Sequence, residues 1–229
     1  MDSVINYLYK HRFELFIVTQ FFILFGSLFF PDALFQDTLL PALFILNIAS
    51  GVLLVSKQRK IMWFLIILFI VALSVFGNSL FSEVEKSEFI LTRLSVYFLF
   101  YVIVTGHIIK QIWREKEVDK TVIIGLMSGY ISLGFIAFFI LVSIELVTPD
   151  SFTGILLDSQ NIDSRVDSLM YYSYITLLTI GYGDIIPVTP IAQKAVVLIG
   201  LIGQFYIVII TSVVVSKYIN IAVIGNNKQ

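Results

Sequence analysis

Apolar and polar positions fall into long blocks along this chain. Six blocks stay apolar for roughly the 20 residues that a helix needs to cross a bilayer. They are Phe13–Phe30, Leu39–Ser56, Ile61–Phe81, Phe89–Ile109, Thr121–Val147 and Ile191–Ser216. Between the fifth and sixth blocks the pattern changes. Residues 149–167 are polar and carry Pro149, Asp150, Asp158, Asn161, Asp163 and Asp167. Ser168–Thr179 is then apolar for only 12 residues. That is too short to span and predicts a re-entrant helix. Gly181-Tyr182-Gly183-Asp184 follows at once. Non-helical backbone at membrane depth is tolerated only where protein or a water-filled cavity surrounds it, so the pattern points to a pore loop. The first block follows Lys10 and Arg12 with no small-residue cleavage site and reads as a retained helix.

Composition agrees: 58% of the residues are hydrophobic and 14% charged, which places the chain in a membrane. The net charge of −1 gives no case for nucleic acid as a partner. With no cysteine, and with His11 and His107 far apart, neither a disulfide framework nor a zinc site is expected. No nucleophile–base pair or phosphate loop is found, so an enzyme is not expected. The basic residues set the orientation. With the N-terminus inside, eleven Lys and Arg fall on the cytoplasmic side, from Lys10 to Lys228, and three outside, Lys86, Arg165 and Lys194. Both termini are then cytoplasmic in a plasma (inner) membrane, and the 149–190 loop dips in from outside. Its acidic flank concentrates cations near the mouth.

Thr179-Ile180-Gly181-Tyr182-Gly183 has the chemistry of an ion filter. A potassium ion entering a narrow pore must exchange its water for other oxygens. Backbone carbonyls serve if they all face one axis, which an ordinary strand does not allow. Gly181 and Gly183 take positive φ without steric cost, and this turns successive carbonyls the same way. Thr179 adds a hydroxyl, and Tyr182 is expected to pack behind the filter. The C-terminal end of the re-entrant helix favours a cation. Potassium is thus placed at Thr179, Ile180, Gly181 and Tyr182, as the permeant ion and with no cofactor. Four such loops complete a filter, so three identical subunits and membrane lipids are the expected partners.

Here the sequence resembles a known family. T-I-G-Y-G followed by Asp184 is similar to the T-V-G-Y-G loop of potassium channels, and the likeness extends through Ile186-Pro187-Val188-Thr189-Pro190 into the sixth block. The whole plan resembles the voltage-gated potassium channel superfamily, including its bacterial members. The resemblance implies an all-α membrane protein with six transmembrane helices, a re-entrant pore helix and a filter, assembling as a tetramer. The implied domains are a sensor-like unit over 1–110, a linker over 111–120, a pore domain over 121–220 and a short tail over 221–229. Tyr171 and Tyr172 stand where the family has two Trp, and the resemblance implies that Tyr172 hydrogen-bonds Asp184. Leu178-Thr179 replaces two adjacent Thr. Glu145 resembles a glutamate that braces the outer mouth. Gly203 matches the family's hinge glycine, with close packing as the alternative, and Gly200 reads as a packing residue. Below it, Ile207, Ile210, Thr211 and Val214 share one helical face and fit either an inner pore or a bundle interface.

The voltage-sensing series is missing. From Arg93, every third residue reads Val96, Leu99, Val102, Thr105 and Ile108. The second and third blocks contain no acid. Arg93 fits a residual sensor position or a snorkelling end residue. Moving one charge through the field is worth about 2.3 kcal/mol per 100 mV, so one arginine gives little steepness. A potassium-selective channel with little or no steep voltage dependence is expected. A weakly voltage-dependent channel and a non-conducting regulatory subunit are the alternatives. Lys110–Lys120, with Trp113, reads as an interfacial linker or a plain charged joint.

Overall fold

Helices account for most of the chain. The computed structural model describes residues 7, 9, 11–31, 34–81, 87–114, 119–154 and 162–226; of these, the side chains of 37, 75–81, 87–91, 93, 162–164 and 217–226 are not described. The helices are α1 (Arg12–Phe25), α2 (Leu40–Val55), α3 (Arg59–Phe81), α4 (Ser87–Arg114), α5 (Lys120–Val147), α6 (Ile162–Leu177) and α7 (Pro190–Asn226). The described residues also form two three-residue strands, β1 (Phe152–Gly154) and β2 (Ile185–Pro187). The result is a mostly α-helical membrane protein with one short antiparallel ribbon.

Among the described residues, three helices are long and apolar enough to cross a membrane: Leu94–Arg114, Lys120–Val147 and Pro190–Ser216. These match the fourth, fifth and sixth blocks. The first block is α-helical for 14 residues and then tightens into a 3₁₀ turn at Gly26–Leu28. Gly26 lies against Phe35, whose ring would stand 2.3 Å from an added Cβ. The second block has 16 α-helical residues, preceded by a π-helical turn at Phe35–Leu39. Pro41 explains the wide turn, because it has no N–H for the usual bond and its ring crowds the preceding carbonyls.

The chain forms two units, which divide within α5 between Gly129 and Tyr130. Of the linker expected at 111–120, residues 111–114 end α4, Lys120 begins α5, and 115–118 lie outside the described residues. In the first unit, Phe16, Ile48, Leu54, Leu65, Phe100, Tyr101 and Ile108 are fully buried. A neutral polar network ties three of its helices together. Asn47 Nδ2 on α2 donates to the Phe16 carbonyl (3.2 Å) and to Thr19 Oγ1 (2.7 Å) on α1. Tyr101 on α4 donates to Asn47 Oδ1 at 2.8 Å. Each polar atom is met by another, which makes burial of this Asn tolerable. Asp119 accepts the Val122 amide at 2.8 Å and caps α5. Trp113 is exposed on the last turn of α4, and the side chain of Arg93 lies outside the described residues.

In the second unit, α6 packs between α5 and α7. Gly134 of α5 makes room for Tyr174 of α6, whose ring would lie 2.1 Å from a Cβ there. The Tyr174 hydroxyl donates to the Ile131 carbonyl at 2.8 Å. α7 is one continuous helix of 37 residues, so the expected tail from residue 221 is helical to Asn226.

Candidate functional site

The short apolar helix expected at 168–179 is observed as α6, Ile162–Leu177. Its end builds the entrance to the candidate filter. The Thr179 amide donates to the Thr176 carbonyl (3.0 Å), and the Ile180 amide to the Ile175 carbonyl (2.9 Å). These are the two bonds of a Schellman cap, with Thr179 in the left-handed position usually held by glycine. Thr179 has φ 59°. A β-branched residue there is strained, and such outliers mark sites where the surroundings hold an unusual backbone in place. Nothing in the residue type signals this conformation, because Gly is the residue expected at such a cap.

Positive φ recurs at Gly181 (56°) and Gly183 (79°), while Ile180 and Tyr182 are not among the positive-φ residues. The sign therefore alternates over five residues. Alternation of this kind puts successive N–H groups on one side of the chain and the carbonyls on the other. A run of aligned carbonyls is an acceptor surface for a bare cation. Tyr182 is 71% exposed in the single chain, so packing behind the filter, expected for its ring, is not supplied by its own chain. Ile180 and Leu178 are also exposed.

Asp184 is held differently from the expectation. Its Oδ2 accepts from the Tyr171 hydroxyl at 2.7 Å, while Oδ1 accepts the Ile185 amide at 3.1 Å. Tyr172, the residue expected to make this bond, is buried and meets Phe152 edge-on at 5.8 Å. Neighbours on a helix point about 100° apart, so only one of the two can face the filter. The rotation of α6 chooses Tyr171. Hydrogen bonding to Asp184 raises the Tyr171 pKa to about 12, so the phenol remains a donor at neutral pH. Tyr171→Phe is expected to reduce ion flux several-fold, and Tyr172→Phe to leave the Asp184 contact intact. Parallel flux assays check this.

The segment leading into β1 is braced from α5. Glu145 Oε2 accepts the amides of Ser151 (3.0 Å) and Phe152 (3.3 Å), and Oε1 accepts that of Asp150 (3.2 Å). Arg165 of α6 pairs with Glu145 Oε1 and lies 3.6 Å from Asp150. Residues 150–152 lead into β1, and β1 pairs with β2 in the register Phe152↔Pro187, Thr153↔Ile186, Gly154↔Ile185. β2 begins directly after Asp184, so the brace reaches the C-terminal end of the candidate filter. Ser151 adds a second tie. Its carbonyl accepts the Val188 amide (2.9 Å) and its hydroxyl meets Thr189 Oγ1 (3.0 Å). Thr189 then caps α7, ahead of Pro190 at the first helical position. The sequence offers Arg165 only as a charge for orientation and Thr189 only as part of the 186–190 likeness, and Ser151 carries no signal there.

Of Gly200 and Gly203 in α7, Gly203 takes the alternative expected for it, close packing. Gly203 is the packed one: an added Cβ would lie 2.2 Å from the Leu177 carbonyl oxygen. That carbonyl also accepts from Tyr130 of α5 at 3.2 Å. Gly200, read as a packing residue, has open space at its Cβ position. Close approach to the end of α6 thus gives Gly203 a reason to be glycine independent of any hinge. Gly203→Ala forces backbone apart, and overpacking of this kind costs about 1–3 kcal/mol. A lowered thermal midpoint of the purified protein is the expected result. Ile207 and Thr211 are exposed, and Ile210 and Val214 half-buried, on the same helix.

Residues 126–220 match a family model described as ion channel. The match supports an ion channel, and with the apolar helices a membrane protein. It covers α6, the 179–184 segment and most of α5 and α7. No curated protein and no solved structure matches the chain.

Proposed function

We propose that this chain is one subunit of a homotetrameric potassium-selective channel, conducting through carbonyls of Thr179, Ile180, Gly181 and Tyr182 from four copies. The observation that carries the reading is the alternating φ of residues 179–183, set on the Schellman cap of α6. Bare surface on the single chain supports assembly. Tyr182 lacks packing in its own chain, and α7 exposes Val197, Leu198, Leu201, Ile202, Phe205 and Val208. Copies of the second unit around one axis cover such a face and bring four filter strands together. In this reading Glu145 and Tyr171 steady the outer end, and Ile207, Ile210, Thr211 and Val214 line the inner end, where an apolar constriction closes by dewetting. Residues 1–110 form a sensor-shaped domain, both termini are cytoplasmic, and the membrane is the plasma membrane.

Little steep voltage dependence belongs to the same reading. The described interior of the first unit is fastened by the neutral Asn47–Thr19–Tyr101 network. Beyond Arg93, the series on α4 is uncharged. Purified protein in liposomes is expected to pass potassium and rubidium and to exclude sodium. Equal sodium and potassium permeability would sink the selectivity claim. Conductance–voltage curves in planar bilayers are expected to be shallow, and a steep curve that Arg93→Gln flattens would restore a sensor.

A further inference from the structure

We propose that Arg12 and Lys57 form a binding site for a phosphate group, presented by an anionic phospholipid headgroup at the end of the first unit where α1 begins. Arg12 is the first residue of α1 and is only 9% exposed. A guanidinium carries five N–H donors. Nη1 donates to the Tyr9 carbonyl at 2.9 Å, and Nε is buried with no partner among the described residues. The rest of its surroundings are aromatic: Cζ lies 4.1 Å from the Tyr9 ring centre and 4.9 Å from that of Phe13.

Lys57, in the turn between α2 and α3, places Nζ 5.1 Å from the same Tyr9 ring. Two cations therefore stand on one aromatic ring, which favours their positions but leaves their charge unanswered. The described carboxylates of this unit are committed elsewhere. Glu14 binds His11 with one oxygen and Lys120, at 3.0 Å, with the other. Asp119 caps α5. Lys110 of α4 and Arg12 both act electrostatically on His107, so a third cation shares the neighbourhood. Arg59 and Lys60 are exposed beside Lys57.

A buried guanidinium that meets no carboxylate among the described residues calls for an anion, and phosphate oxygens match its forked donors. The site lies where the apolar run of α1 starts, which is headgroup depth for a membrane helix. Exposed Trp63 and Trp113 in the same unit are the residue type that marks that depth. These points favour a lipid phosphate over a soluble one.

The test is lipid binding to the purified full chain in detergent, read by native mass spectrometry. Phosphatidylglycerol, phosphatidylcholine and inorganic phosphate are the probes. Phosphatidylglycerol is expected to bind more tightly than phosphatidylcholine. Arg12→Gln weakens that binding about tenfold, the loss of one charge-assisted bond. Lys57→Gln, at an exposed position that does not threaten folding, weakens it several-fold, and Lys194→Gln leaves it unchanged. Undiminished phosphatidylglycerol binding by both Arg12→Gln and Lys57→Gln overturns the site. Saturation by inorganic phosphate, with no preference between the two lipids, overturns the lipid assignment.

Discussion

Gly181→Ala is expected to lower potassium flux by at least a factor of about 100 while leaving the helical content unchanged. No atom blocks a Cβ at Gly181, because nothing in its own chain lies within 4 Å. The obstacle is the backbone, which has φ 56° there. An L-residue in that region is less favourable by roughly 1–2 kcal/mol. In the proposed tetramer, four subunits around one axis multiply this to about 4–8 kcal/mol on the same scale, and each 1.4 kcal/mol is worth about a factor of ten. Alanine relieves the strain by returning to negative φ, which rotates one peptide and aims an N–H where a carbonyl had faced the ion. Gly200→Ala is the matched control. Its Cβ is also unobstructed, but Gly200 lies inside α7, where alanine is the better helix former. Rubidium uptake into liposomes separates the two. An unchanged potassium-to-sodium ratio in Gly181→Ala removes the filter from this segment.

That result depends on a feature legible in the sequence, whereas several neighbouring features were not. Two glycines in T-I-G-Y-G announce positive φ because few other residues take it freely. Thr179 announces nothing, since its left-handed backbone is imposed by the end of α6. The short apolar run was visible as Ser168–Thr179, but the helix starts six residues earlier, where polar side chains broke the pattern. Tyr171 and Tyr172 are chemically alike, and only the rotation of α6 decides which reaches Asp184. Gly200 and Gly203 are equally alike, and the distance to the Leu177 carbonyl separates them. The ribbon of Phe152–Gly154 and Ile185–Pro187 has three residues per strand, too few for any alternation to register. Composition showed six apolar blocks, but not that a 3₁₀ turn at Gly26 and a π-helical turn before Pro41 interrupt regular helix at the edges of the first two. Arg165 looked like one of three outer charges used to orient the chain. Its tie to Glu145 required a fold that brings α5 and α6 together.

That pair is the basis of the second large effect. Glu145→Ala is expected to destabilise the protein by about 3 kcal/mol, the lower end for breaking a buried ion pair, and to reduce flux with it. The Glu145 side chain is 12% exposed and that of Arg165 27%. Truncation strands the Arg165 charge and the amides of Asp150, Ser151 and Phe152 together. Asp150 cannot replace the lost carboxylate, because at 89% exposure its pairing with Arg165 is screened by water. Water reaches residue 150 more easily than buried Ser151 and Phe152, which keeps the cost at the lower end. Glu145→Gln retains one carbonyl acceptor and is expected to recover part of the loss. The decisive comparison adds Arg165→Met. If the carboxylate acts mainly by answering the guanidinium, the double variant is more stable than the sum of the single losses predicts, by at least about 1 kcal/mol of coupling. If it acts mainly by holding the 150–152 amides, Arg165→Met changes little and the losses add. Thermal midpoints of the four proteins distinguish the cases. Flux measured alongside shows whether the disturbance reaches Asp184, which β1 adjoins through its pairing with β2.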